Sequence, residues 1–439
     1  MTRTGKDQRD RLAAAFILAA WAVLAIQASW NIWGLDLSAV YFAAWFQGAG
    51  LPGQVYAAPP GILVGDMPPL WAQAVADMGH PDELAVPYVY PPLWAVLLAP
   101  LAHAVGPQSF FNGAQVLNIA AMAASVALAA RIMRPVWLPR WGWALISVAM
   151  LQTSFISGYA ISLNQPQILV SFLVLLSMER LLAGRAGLAG AVLGLAAALK
   201  LAPAVFALVF LISGSRRALA GFAVSLAGLA ALSLALVPDG LHAEFAERLS
   251  QISGAVAPAV TNFSLEVFLI KTSQLIGGGL PELAVGKQDL IAEPLWVGLA
   301  VKAVLAAGLA YLLFVGRALP PGPDRVRLPV LALCLLAPLC APLAWAHYYL
   351  TALFLMPGLV GVFPAWRGAA LLFLFAVATA FAAFRTLIAL PQGAHLPVLL
   401  TVPLLAGLLG LIALRMARAA ARPAPPEGRA APAWAAPPG

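Results

Sequence analysis

Charge is scarce in this chain of 439 residues: Asp, Glu, Lys and Arg make up 10% of it, against 62% hydrophobic residues. An average soluble domain is about 25% charged, so a soluble globular enzyme is excluded. Disorder is excluded too, because a disordered chain needs the opposite balance. Cysteine is nearly absent. Cys334 and Cys340 share one apolar run, which reads as helix filler and not as a disulfide or metal site. The chain has no P-loop, dinucleotide loop or Cys/His ligand spacing. It also has no fixed-period repeat and no pair of matching halves of the transporter kind.

One absence orients the chain. Between Arg11 and Arg131 there is neither Lys nor Arg, although Asp36, Asp66, Asp77, Asp82 and Glu83 fall in that interval. Cytoplasmic loops are rich in Lys and Arg, so such a stretch reads as extracytoplasmic. The net charge of +8 does not point to nucleic acid. The basic residues are scattered singly or in pairs between apolar runs, which suits a lipid bilayer with an anionic inner face.

What is present is apolar helix. Crossing the hydrocarbon takes about 20 residues, and the pattern predicts an all-α polytopic membrane protein with about 12 transmembrane helices. The spans fall near 12–30, 111–130, 141–159, 167–182, 187–200, 203–214, 218–237, 294–315, 328–345, 348–364, 368–388 and 396–414. Residues 1–422 then form one transmembrane domain with both termini cytoplasmic, the first span is retained, and 423–439 is a disordered Pro/Ala-rich tail. Two outer regions, near 31–110 and 238–293, are too large to be turns. In the first, Leu35–Phe46 and Tyr90–Val105 suit extracytoplasmic juxtamembrane helices.

The chemistry falls to a few polar residues at the outer surface. Asp36, at the mouth of the first span in WNIWGLDLSAVYFAAW, has two readings. It is either a general base with a carboxyl raised by aromatic neighbours, or an N-cap for the helix that follows. Asp66, Asp77, Asp82 and Glu83 read as solvated loop charges. Fixed cations suited to an anionic headgroup are Lys200 at a Pro-broken helix pair, His347 in PLAWAHYYL and Arg385 in AAFRTL. His347 also fits an interfacial aromatic belt, and Arg385 fits simple snorkelling. No acidic spacing suits a divalent ion, and neither metal nor cofactor is implied.

In order along the chain stand Asp36 and Tyr41, Tyr90-Pro91-Pro92-Leu93, Asn164-Gln165-Pro166-Gln167, GLAGAVLGLAAALKLAP, the SRR at 215–217, Asn262-Phe263-Ser264-Leu265 and Pro342-Leu343-Ala344-Trp345-Ala346-His347. This order resembles glycosyltransferase family 87 over roughly residues 30–390. One departure is Asn-Gln-Pro-Gln, where the family typically has Gly-Gln-x-Asn. The resemblance implies a GT-C fold in the bacterial inner (plasma) membrane with an extracytoplasmic active site. It implies a polyprenyl-phosphate sugar as donor, and mannosyl transfer to a glycan or glycolipid acceptor with inversion. Asp36 would be the catalytic residue, Lys200, His347 and Arg385 would hold the donor phosphate, and Tyr41, Tyr90, Gln165, Asn262 and Trp345 would bind substrate. A membrane transporter or lipid flippase is the alternative, suggested by the broken helices around Lys200. A structural membrane subunit is a third reading, which leaves Lys200 and the long first loop without a reason.

Overall fold

A computed structural model describes residues 3–57, 62–64, 67–278 and 288–422. The expected tail at 423–439 lies outside the described residues.

Nearly every apolar run is helical. The chain opens with α1 (Arg3–Ser29), α2 (Leu35–Gly48), α3 (Pro69–Asp77), α4 (Pro92–Ala104) and α5 (Pro107–Met133). Then come α6 (Arg140–Thr153), α7 (Phe155–Ser162), α8 (Gln167–Leu182), α9 (Ala186–Leu199), a 3-10 turn at Ala202–Phe206 and α10 (Ala207–Ile212). Next are α11 (Arg216–Leu236), α12 (Leu241–Ser253), α13 (Leu265–Ile276), α14 (Leu295–Ala318) and α15 (Asp324–Leu339). The last are α16 (Leu350–Leu355), α17 (Leu359–Val362), α18 (Ala365–Ala378), α19 (Phe381–Ile388) and α20 (Leu396–Ala420). Among the described residues strand is confined to β1 (Ile62–Val64), β2 (Ala255–Val256), β3 (Gln288–Asp289) and β4 (Ile291–Ala292), paired antiparallel as β1 with β3 and β2 with β4.

This is an all-α polytopic membrane protein. Among the described residues, five helices are long and apolar enough to cross a bilayer: Gly5–Ser29, α5, α11, α14 and Gly393–Ala420. Several expected spans are instead interrupted. The span near 141–159 breaks at Ser154 and that near 368–388 breaks at Thr379, and the two breaks meet. Phe155 N–H donates to the Thr379 carbonyl at 2.6 Å, Ser154 pairs with Ala380, and the Ser154 hydroxyl caps α7. Irregular backbone inside a membrane protein is tolerable only where its polar groups find partners in protein, and these do.

The glycine-rich motif has a packing reason. A Cβ on Gly190 would stand 1.9 Å from the Ala218 carbonyl oxygen, and one on Gly221 would stand 2.3 Å from that of Gly187. Only glycine lets α9 and α11 approach so closely. Proline then ends the pair: α9 stops at Leu199, Lys200 is extended, and Pro203 sits in the 3-10 turn.

Two apolar clusters result. The larger runs through α5, α8, α9, α15 and α20. A smaller aromatic one joins Trp33, Tyr41, Phe42, Phe46, Trp71 and Phe111 beyond the end of α1. It encloses α2 on nearly all sides, so α2 is a buried strut between α1 and the segment that follows it. The groove between the clusters is where the polar residues gather.

Candidate active site

A cavity of about 310 Å³ opens between the two clusters. Its walls include Asp36, Tyr90, Gln165, Lys200, Trp345 and His347, six of the nine residues singled out above. Asp36 is the one carboxylate among the described lining residues.

Asp36 sits in the first turn of α2, but Gly34 holds the N-cap position, and the helix has no side-chain cap. The carboxylate instead accepts a hydrogen bond from Gln165 Nε2. The Gln165 amide is itself fixed, because its Oε1 accepts from Tyr90 Oη at 3.2 Å and from the Gln167 N–H at 3.3 Å. Tyr90 is held in turn: Tyr56 Oη donates to its carbonyl at 2.7 Å, and Tyr88 Oη donates to that of Pro91 at 2.8 Å. A chain of buried groups thus aims the amide at the carboxylate. Burial pushes the Asp36 carboxyl up to about 7, opposed by the positive charge of Lys200.

Lys200 enters from the broken helix. Its Nζ stands 4.0 Å from the Tyr348 ring centroid and 5.9 Å from that of Tyr90, a cation–π cradle that holds an ammonium in an apolar wall. Trp94 Nε1 fixes the end of α9 by donating to the Ala198 carbonyl at 2.8 Å. His347 is 1% exposed, and neither ring nitrogen has a hydrogen-bond partner among the described residues. Its ring stacks at 5.8 Å on Tyr159 and meets Tyr348 edge-on at 4.9 Å. A buried imidazole left unpaired at a cavity wall costs stability, and such a cost is commonly retained for a ligand.

Three expected residues do not line the cavity. Asn262 is fully buried and works on backbone. Its Nδ2 donates to the Ala257 and Pro342 carbonyls at 2.9 and 3.3 Å, and its Oδ1 accepts from the Ser264 and Ala344 N–H groups at 3.2 and 2.9 Å. It zips 261–264 to 342–346 and so places Trp345 and His347. Tyr41 is also buried; its hydroxyl reaches the carbonyls of Ala102 and Val105 at 3.1 and 3.0 Å, closing the end of α4. Arg385 is exposed on α19. Asp77 and Asp82 are exposed, Glu83 is half-buried and none lines the cavity; Asp66 lies outside the described residues.

Sequence reading missed Tyr348, Tyr159 and the far wall. That wall is Phe245, Leu249 and Ile252 of α12, one stripe at i, i+4, i+7 spacing that was legible as an amphipathic helix.

An apolar helical bundle with a small, charge-bearing cavity at the end of its first helix is the build of a membrane enzyme. The sequence profile of glycosyltransferase family 87 matches residues 88–342, more than half of the chain, and the chain belongs to that family. It is a membrane glycosyltransferase. Among proteins of curated function, none matches the chain. The match includes Tyr90, Gln165, Lys200 and Asn262, whereas Asp36 precedes it and Trp345 and His347 follow it.

Proposed function

We propose that the protein moves a hexosyl unit, mannosyl by its family resemblance, from a polyprenyl-phosphate sugar to an extracytoplasmic glycan or glycolipid. The observation that carries this reading is one cavity holding a raised carboxylate, a fixed lysine and an unpaired buried histidine. The acceptor oxygen attacks the anomeric carbon as the bond from that carbon to the phosphate oxygen breaks. The hydroxyl proton passes to Asp36 and the bonding pair leaves with the polyprenyl phosphate, which gains one negative charge. Displacement from one face inverts the anomeric centre, so a β-linked donor gives an α-glycoside.

Gln165 keeps the carboxylate aimed at the attacking hydroxyl, because its amide is oriented by Tyr90 and cannot turn freely. Lys200 and His347 face the leaving phosphate and stabilise the charge that develops there. Arg385, outside the cavity, has no part in this assignment. The apolar wall of Phe245, Leu249, Leu201 and Leu343 suits the lipid end of the donor. Asn262 and Tyr41 are positioning residues. A lone carboxylate among the described lining residues is a poor divalent-ion site, so the charge on the leaving phosphate falls to the Lys200 ammonium and to a hydrogen bond from the His347 ring.

The test is transfer of radiolabelled mannose from polyprenyl-phosphate mannose by purified protein in detergent, screened against lipid and glycan acceptors. Labelled product with the expected anomeric configuration supports the reading. Turnover with a nucleotide sugar and none with the lipid-linked donor would overturn it.

A further inference from the structure

At the far end of α1 lies a second cavity. The 27 residues of α1 span about 40 Å at 1.5 Å per residue. One end is tied to α5 by Asn112 Nδ2 donating to Asn31 Oδ1 at 2.8 Å, beside the sugar-transfer cavity. The other end meets the turn between α5 and α6, where a cleft of about 680 Å³ is lined by Lys6, Asp7, Arg9, Asp10, Arg134 and Arg140. The two cavities therefore open a bilayer's thickness apart.

The acids in this cleft are already committed. Asp10 accepts from the backbone N–H groups of Arg140 and Trp141, both at 3.1 Å, at the start of α6. Asp7 pairs with Arg140 and, at 2.8 Å, with Arg11. Lys6 and Arg134 have no carboxylate within ion-pair distance among the described residues. Burial and the adjacent Arg140 guanidinium outweigh the support that Asp10 and Asp7 give to the charge of Arg134, and with Lys6, Arg9, Arg134 and Arg140 against two acids the cleft favours an added anion. The rim is apolar and open: Val136, Trp137 and Trp141 are 92%, 62% and 45% exposed. A soluble anion gives no reason for that rim. An anion attached to acyl chains does, since tryptophan beside basic residues marks the headgroup level.

We propose that this cleft binds the phosphate headgroup of an anionic glycerophospholipid, from the leaflet opposite the sugar-transfer cavity. The phosphate sits between Lys6, Arg9 and Arg134, and the acyl chains run down past Trp137 and Trp141. This site is separate from donor binding and rests only on the chain spanning a bilayer.

The experiment uses the full-length protein in neutral detergent, titrated with phosphatidylglycerol and, in parallel, phosphatidylcholine, with the thermal midpoint as readout. Phosphatidylglycerol raises the midpoint saturably, and phosphatidylcholine does not. Each basic side chain near an anionic surface contributes about fivefold in affinity. Lys6→Gln, which removes no hydrogen bond or ion pair among the described residues, weakens the response about fivefold. Lys6→Gln with Arg9→Gln weakens it about 25-fold, and the single variant stands if the double does not fold. An equal response to phosphatidylcholine overturns the proposal, as does a Lys6→Gln affinity within twofold of wild type. So does equal protection by inorganic phosphate or glycerol 3-phosphate, which would mark a site for soluble anions.

Discussion

Replacing Asp36 by Asn separates catalysis from structure, because the two effects run in opposite directions. Asn is isosteric and its amide oxygen still accepts from Gln165, so the contact at the cavity wall survives. Gly34 holds the N-cap, so no cap is lost. What disappears is the ability to take a proton, for which general-base catalysis is worth typically 10²–10⁴-fold. Turnover of the proposed lipid-linked donor should fall at least about 100-fold.

Stability should move the other way. The fold raises the carboxyl from 3.8 to about 7. Between those values the folded chain binds the proton more tightly than the unfolded chain, so stability falls as pH rises from about 4 to about 7. Above pH 7 the ionised group costs about 4 kcal/mol, from 1.36 kcal/mol per unit over that interval. Asp36→Asn carries no such cost, so at pH 8 it should melt above wild type, and near pH 4 the two should converge. Radiolabel transfer and melting curves at both pH values test this. Activity above about a tenth of wild type refutes the base assignment. A large loss of activity accompanied by a lower melting temperature at pH 8 refutes the argument that Asp36 is structurally dispensable.

Three further outcomes are expected. As the base must be ionised, kcat/KM should rise with pH on an acid limb centred near 7; Lys200→Met removes the charge that opposes burial, so the same limb should shift upward in pH while donor use weakens, and an unmoved limb would uncouple the two residues. EDTA should change activity by no more than a small factor, given one carboxylate among the described lining residues; full loss restored by Mg²⁺ or Mn²⁺ would defeat the metal-independent mechanism. Gln73→Cys and Asp82→Cys, exposed on and after α3, should react with an impermeant thiol reagent in intact spheroplasts, against low background from the buried Cys334 and Cys340; labelling only after lysis would invert the topology.

Much of this protein was legible in its sequence because the bilayer imposes a simple rule: every backbone polar group must be satisfied, so long apolar runs become helices. Composition therefore determined the all-helical membrane class, and proline spacing marked the break at Lys200. Local chemistry also singled out Asp36, Lys200 and His347, as charged or polar groups rarely sit in such surroundings without a partner or a use. Tertiary structure decided the rest. Only packing of the larger helical core against the smaller aromatic cluster brings residues 36, 90, 165, 200 and 347 to one cavity across more than 300 positions of chain. Two equivalent-looking motif residues were divided by the same packing: Gln165 turns its amide to the carboxylate, while Asn262 spends all its hydrogen bonds on backbone. Arg385 and Lys200 both read as phosphate-facing cations, yet one ends exposed on α19 and the other over Tyr348. Periodicity specifies which face of a helix is apolar, but not which distant helix it will meet; that depends on close fits such as Gly190 against Ala218, which exist only once both helices are in place.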